Sequence, residues 1–265
     1  MPADRTATLP DGLTVSYRDT GGAGPALVFS HGFMLDSDMF EAQLAHFAPR
    51  WRCIAWDERG HGGTGGAQAP FTYWDSARDL LALLDQLGVP RAVLVGMSQG
   101  GFLSLRAALL APERVRALVL IDSQAGAEVP EMVEGCRAMA ERWVTQGPTE
   151  ELARAAGSVI LAPEGLEVWV AKWVAQPRDR LQEPFATLVG RDDLTDRLAE
   201  ISVPSLVVHG SADLAIPLQR ARELAAGLPG CAGVHVVEGG AHASNVTDPA
   251  EVNAVVEAFL AGLGG

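Results

Sequence analysis

The chain has 265 residues, 48% of them hydrophobic and 20% charged, which supports one large α/β domain, or one carrying an insertion, and excludes a disordered chain. Its 33 acidic against 20 basic side chains leave a formal charge of −13, which repels nucleic-acid phosphates and anionic lipid surfaces, so neither is expected as a partner. No stretch reaches the roughly 18 apolar residues of a membrane span, and "MPADRTATLPDG" lacks the apolar segment of a secretory signal.

In chain order, Ala7–Leu9 and Leu13–Tyr17, joined by Pro10-Asp11-Gly12, read as a hairpin. Short runs rich in Val, Leu and Ile follow at Ala26–Ser30, Cys53–Trp56, Ala92–Val95, Ala117–Ile121, Leu206–His209 and Val234–Val237. Between them lie amphipathic stretches such as Trp74–Leu87, ended by Gly88 and Pro90, and Phe102–Leu110. Strands apolar on both faces with helices between them predict an α/β fold, a doubly wound, mostly parallel, eight-stranded sheet.

The alternation stops between about Ala127 and Glu200, where "EMVEGCRAMAERWV", "EELARAAGSVI" and "EGLEVWVAKWVAQ" are all helical in pattern. The expected organisation is a core of residues 1–126 and 201–265 with a helical cap, 127–200, inserted after the sixth strand. Met132, Met139, Trp143, Trp169 and Trp173 are either the cap's own core, the commoner use of such residues, or the wall of a substrate pocket. Met139, Trp143 and Trp169 are the pocket candidates.

Gly96-Met97-Ser98-Gln99-Gly100 sits between a strand and a helix, the context that G-x-S-x-G requires. A serine on such a corner takes a strained backbone, and the chain packs so closely there that the flanking positions must be glycine. The helix that follows aims its first N–H groups at the corner and favours negative charge there. Ser98 is therefore read as a nucleophile rather than a turn residue.

A hydroxyl needs a base. His242, in the Gly-rich loop after the last strand, is at the right end of the sheet, whereas His31, His46, His209 and His235 read as structural. Asp213, after the penultimate strand, is the acid that would hold the imidazole, and Asp122, which also ends a strand, is its rival. The order Ser98, Asp213, His242 is the one expected for this motif. The residue after the nucleophile, Gln99, and Phe33 of "SHGF" would offer main-chain N–H groups to an oxyanion.

Gly60-His61-Gly62-Gly63-Thr64-Gly65 formally matches a dinucleotide motif. "GGAQAP" follows where a helix would have to open, so the motif's glycines read as a mobile surface loop and no cofactor is expected. No compact metal-ligand motif is present, and three widely spaced cysteines, Cys53, Cys136 and Cys231, form no disulfide framework. A cytoplasmic protein with no metal and a small-molecule substrate is expected, with its oligomeric state, homo-oligomer included, left open.

Together, "SHGF", "WDERGHGGT", "GMSQGG", "HGSADLAIP" and "GGAHASNVTDP" resemble the α/β-hydrolase fold family over almost the whole chain. Within it, "GMSQGG" and "AHASNVTDPAEVNAVVEAFL" are similar to the 3-oxoadipate enol-lactonase and small esterase branch, while "HGF" is closer to general esterases and C–C bond hydrolases. The resemblance implies a serine hydrolase of small carboxylic esters or lactones, with Asp57–Gly62 bracing the site from below. It leaves as alternatives a C–C bond hydrolase of vinylogous 1,5-diketones, a cofactor-free haloperoxidase or perhydrolase, and a non-catalytic receptor on the same fold.

Overall fold

Valine, leucine and alanine fill the middle strands on both faces, and a computed structural model, describing residues 4–65 and 69–263, assembles them into one eight-stranded sheet. Its strands are β1 (Arg5–Thr8), β2 (Thr14–Asp19), β3 (Ala26–Ser30), β4 (Arg52–Trp56), β5 (Ala92–Met97), β6 (Val115–Ile121), β7 (Ser205–Gly210) and β8 (Cys231–Val237). They lie in the order β1-β2-β4-β3-β5-β6-β7-β8, with β1–β2 and β2–β4 antiparallel and every other pair parallel. Every residue of β3 and β5 is buried, as strands covered on both faces require.

The helices are α1 (Glu41–Phe47), α2 (Tyr73–Gln86), α3 (Gln99–Leu110), α4 (Pro130–Gln146), α5 (Glu150–Ile160), α6 (Pro163–Val174), α7 (Gln182–Val189), α8 (Leu218–Gly227), α9 (Ser244–Thr247) and α10 (Pro249–Ala261). The two-residue period of the strands divides the core between them. Val28, Leu94 and Leu118 face α2, α3 and α8 through Leu80, Leu103 and Leu224. Phe29, Val95 and Val119 face the opposite layer, which holds Leu44 of α1, Val256 of α10 and the tryptophans of α4 and α6. None of the described helices is long and apolar enough to cross a membrane.

The strands expected from sequence are present, with the largest boundary shifts at the sheet's edges. β1 is mostly exposed and is defined by its pairing with β2, which hydropathy does not register. β8 begins three residues before its apolar run because it is only half buried and pairs with β7 across a register shift. α3 starts at Gln99 rather than Phe102, its first turn being two glycines without apolar signal. The Gly60–Gly65 glycines, read as a mobile surface loop, are instead partly packed, with Gly60, His61 and Thr64 buried and Arg180 on their carbonyls, while the "GGAQAP" stretch falls in part on residues 66–68, outside the described residues.

α4 to α7 form the insertion between β6 and β7. They are fastened to the loops beyond the central strands by polar contacts as well as by packing. Buried Trp173 donates its indole N–H to the Met34 carbonyl at 2.6 Å. Lys172, the chain's one lysine, bonds both Asp36 oxygens at 2.8 and 2.9 Å and also contacts Asp38. The Arg180 guanidinium donates to the carbonyls of Gly60, Gly62 and Thr64.

The chain leaves β3 for β4 on one side of the sheet and leaves β5 for β6 on the other. The loops leaving β3 and β5 therefore diverge over a switch point, the place where parallel sheets open a crevice.

Candidate active site

Ser98 stands between β5 and α3 with φ 50° and ψ −114°, a conformation an L-residue holds only when its surroundings enforce it. Its N–H donates to the Ile121 carbonyl at 2.9 Å, and its own carbonyl accepts from the Ser123 hydroxyl and the Gly101 N–H. A Cβ on Gly96 would fall inside the Gly100 carbonyl, and one on Gly100 inside the Ser30 carbonyl. Both obstacles are backbone and cannot swing away. Gly100→Ala is accordingly expected to cost about 3 kcal/mol of stability, read by urea unfolding; a variant as stable as the parent would show that the corner has slack.

The loop after β8 brings the imidazole of His242 onto this corner. Nε2 lies 3.1 Å from Ser98 Oγ, and Nδ1 lies 2.8 Å from Asp213 Oδ2. With Nδ1–H donating to the carboxylate, the Nε2 lone pair faces the serine hydroxyl. Asp213 Oδ1 accepts the main-chain N–H groups of Ala215 and Ile216 at 2.7 and 2.9 Å, which fixes the carboxylate plane. Burial pulls the His242 pKa down, but the Asp213 hydrogen bond and charge, helped by Asp122, outweigh it. The imidazole is held above its ordinary 6.5.

The rival acid has different work. Asp122 accepts the Gly210 N–H on Oδ1 at 2.8 Å and both the N–H and the hydroxyl of Ser244 on Oδ2 at 2.9 and 2.6 Å. It grips the loop that leads to Asp213 and the loop that follows His242, while the imidazole itself belongs to Asp213. Burial pushes its carboxyl up to about 7. The sequence favoured Asp213 over Asp122 as the orienting acid, but it did not reveal this clamp, since both aspartates follow parallel strands.

The other histidines lie outside the Ser98 hydrogen-bond chain. His31, buried beneath the "HGF" loop, joins the Gly32 carbonyl through Nδ1 and accepts the Glu58 N–H on Nε2 at 2.9 Å. His209 joins the Ile216 carbonyl through Nε2 at 2.8 Å, and His46 and His235 pair with Glu257 and Glu251. Asp57 anchors the Ser37 and Gly63 N–H groups. Among the described residues one cluster, Asp122, His209 and Asp213, has potential ligand atoms within 4.8 Å of one another. All four carboxylate oxygens of this cluster accept from loop N–H groups, Ser244 Oγ or His242.

Gln99, first residue of α3, has by helix geometry no intrahelical partner for its N–H. Phe33 leaves the end of β3 just before Met34, whose φ of 66° turns the loop, and its side chain lines the same cavity as Ser98.

That cavity has a volume of about 350 Å³ and opens onto Ser98 and His242. Met97, Phe102, Met139, Phe185 and Leu188 form much of its wall. Of the three pocket candidates, Met139 lines this cavity. Trp143 and Trp169 do not line the cavity: both are buried in the core that the insertion shares with the sheet. Met97 and Phe102 were missed, although one adjoins Ser98 and the other lies one helical turn beyond it.

A sequence profile described as "alpha/beta hydrolase fold" matches residues 25–154. A protein of Variovorax paradoxus that bears the name carbamate hydrolase RutD is 30% identical over 266 residues, covering 94% of this chain and 97% of its own. The 3-oxoadipate enol-lactonase 2 of Acinetobacter baylyi is 28% identical over 269 residues, 96% of either chain. Among solved structures, a thermophilic esterase from Thermogutta terrifontis superposes with a TM-score of 0.89 at 27% identity, covering 99% of this chain and 100% of that one. The enol-lactonase of Burkholderia xenovorans LB400 gives 0.87 at 26% identity, with 97% and 100% coverage.

Proposed function

The chain belongs to the α/β-hydrolase fold family and is a hydrolase, and we propose that it cleaves a small carboxylic ester or lactone through a Ser98 acyl-enzyme. The observation that carries this reading is the unbroken hydrogen-bond chain from Asp213 through His242 to a strained Ser98 at the floor of an apolar cavity.

Ser98 Oγ attacks the carbonyl carbon as His242 Nε2 takes its proton. The imidazolium is steadied by Asp213, whose carboxylate stays ionised. The Phe33 and Gln99 main-chain N–H groups receive the oxyanion, each such donor being worth roughly 10²–10³ in rate. The intermediate collapses, the C–O bond to the alcohol breaks, and His242 returns the proton to the leaving oxygen. Water, deprotonated by the same imidazole, then releases the acid. A lactone follows the same course, its alcohol staying tethered to the acyl chain throughout, so that water releases a single hydroxy acid.

The pH dependence follows from the base. Protonated His242 cannot accept the serine proton, so activity is lost as pH falls through its pKa. Because Asp213 holds that pKa above 6.5, kcat/KM is expected to rise with pH and reach half its plateau above 6.5. A profile flat from pH 5 to 8 would remove His242 from the mechanism.

The direct test assays aryl esters, lactones and vinylogous 1,5-diketones with and without a serine-directed phosphonate. Ester or lactone turnover, blocked as the phosphonate labels Ser98, is the expected result. Turnover of diketones but not esters would make this a C–C bond hydrolase, and binding without any turnover would make it a receptor.

A further inference from the structure

The cavity's wall has an unusual charge content for a site of its size. Besides Ser98 and His242, the polar side chains lining it among the described residues are Glu128 and Cys136, and no lysine or arginine lines it. Burial and the neighbouring Glu128 charge push the Cys136 thiol above its ordinary range, so it is neutral. A buried cation, Arg191, lies behind the Phe102 ring, its guanidinium carbon 4.3 Å from the ring centroid. Its N–H groups are committed to the Gly126 and Leu188 carbonyls and, at 2.7 Å, to Glu128 Oε1. Gln124 donates to that same oxygen. The apolar surface continues outward through partly exposed Met132 and Val159, so the cavity has an apolar mouth as well as an apolar floor.

A carboxylate carried into such a space loses its water and meets no free cation, and an unpaired buried charge is far costlier than an unpaired neutral group. It also meets the Glu128 carboxylate. An alkyl chain or ring meets methionine, phenylalanine and leucine instead. The volume is at the lower end of the roughly 300–1,000 Å³ typical of small-ligand sites.

From this we infer that the hydrolase takes an ester or lactone whose buried part is uncharged and apolar, that it rejects one carrying a carboxylate there, and that Glu128 sets this preference. The bond cleaved rests on the Ser98 reading; the preference rests on the wall. Removing the Glu128 charge would leave Arg191 as an unmatched cation one ring behind the cavity, so Glu128→Gln should admit the anion.

Methyl hexanoate and monomethyl adipate test this, because their six-carbon acyl chains differ only in ending with a methyl or a carboxylate. Binding is measured at pH 8 by NMR titration on the Ser98→Ala protein, so that turnover plays no part. The neutral ester is expected to bind at least about 30-fold more tightly. In Ser98→Ala/Glu128→Gln, its fold checked by thermal melting, the ratio is expected to fall to about threefold. Equal binding of the two esters, or binding of neither, overturns the preference. An unchanged ratio in the folded double variant removes Glu128 from it, and should that variant not fold, the Ser98→Ala measurement still decides the preference. Hydrolysis by the unaltered protein is followed separately. A binding preference without hydrolysis rejects the Ser98 chemistry and leaves the preference standing, whereas equal hydrolysis of both esters does the reverse.

Discussion

Ser98→Ala is expected to lower ester turnover by about 10⁴- to 10⁶-fold while leaving the protein folded. The hydroxyl's bond is to His242 Nε2, and alanine occupies the same corner with one atom fewer. The strained backbone is held by its neighbours, through Ile121, Ser123 and the close approach at Gly96 and Gly100, none of which involves the Ser98 side chain. Steady-state hydrolysis of an activated aryl ester reads the first effect and thermal unfolding the second. A residual rate within tenfold of the parent would mean that Oγ is not the attacking atom.

Asp213→Asn is expected to lower kcat by about 10⁴, with KM little changed. The reason lies in how the carboxylate is already used. Oδ1 accepts two main-chain N–H groups, from Ala215 and Ile216, so an asparagine must keep its carbonyl oxygen there. Its amide nitrogen then faces His242 Nδ1 and donates to it. The imidazole is forced to carry its proton on Nε2, where it can no longer accept one from Ser98. Asp122→Asn should behave differently. Three donors converge on that carboxylate, so an amide leaves at least one opposed, with an expected cost of about 1–3 kcal/mol in stability and less than about 10²-fold in kcat. Measuring kcat and urea midpoints for both variants separates the roles. Were Asp122→Asn the catalytically crippled one, Asp213 would lose its assignment.

The contrast between these aspartates also marks where sequence reasoning ran out. Both close parallel strands with an acidic side chain, and only the register of two distant loops decides which one meets the imidazole. The serine corner was legible because its steric demands leave a literal trace, glycine where backbone meets backbone. The inner strands were legible because burial on both faces leaves few polar residues to blur them, whereas β1 and β8 depend on pairing at an edge. The cavity wall was not legible. A helix shows the same apolar stripe whether it faces a core or a void, so Trp143 and Met139, on one helix, could not be told apart although one is packed solid and the other borders the cavity.

The Asp122 clamp has an evolutionary consequence. Its anchors, Gly210 and Ser244, lie only a few residues from the acid and the imidazole, and the side chain that joins them springs from the end of β6, before the inserted helices begin. The approach of His242 to Ser98 is thus held mainly from β6, although the Ala243 N–H beside the imidazole also donates to the Ile160 carbonyl at the end of α5, at 2.9 Å. Variation along α4, whose Met132 and Met139 border the cavity, is therefore expected to disturb that approach less than change at Ile160, and a designer seeking altered selectivity would begin with α4.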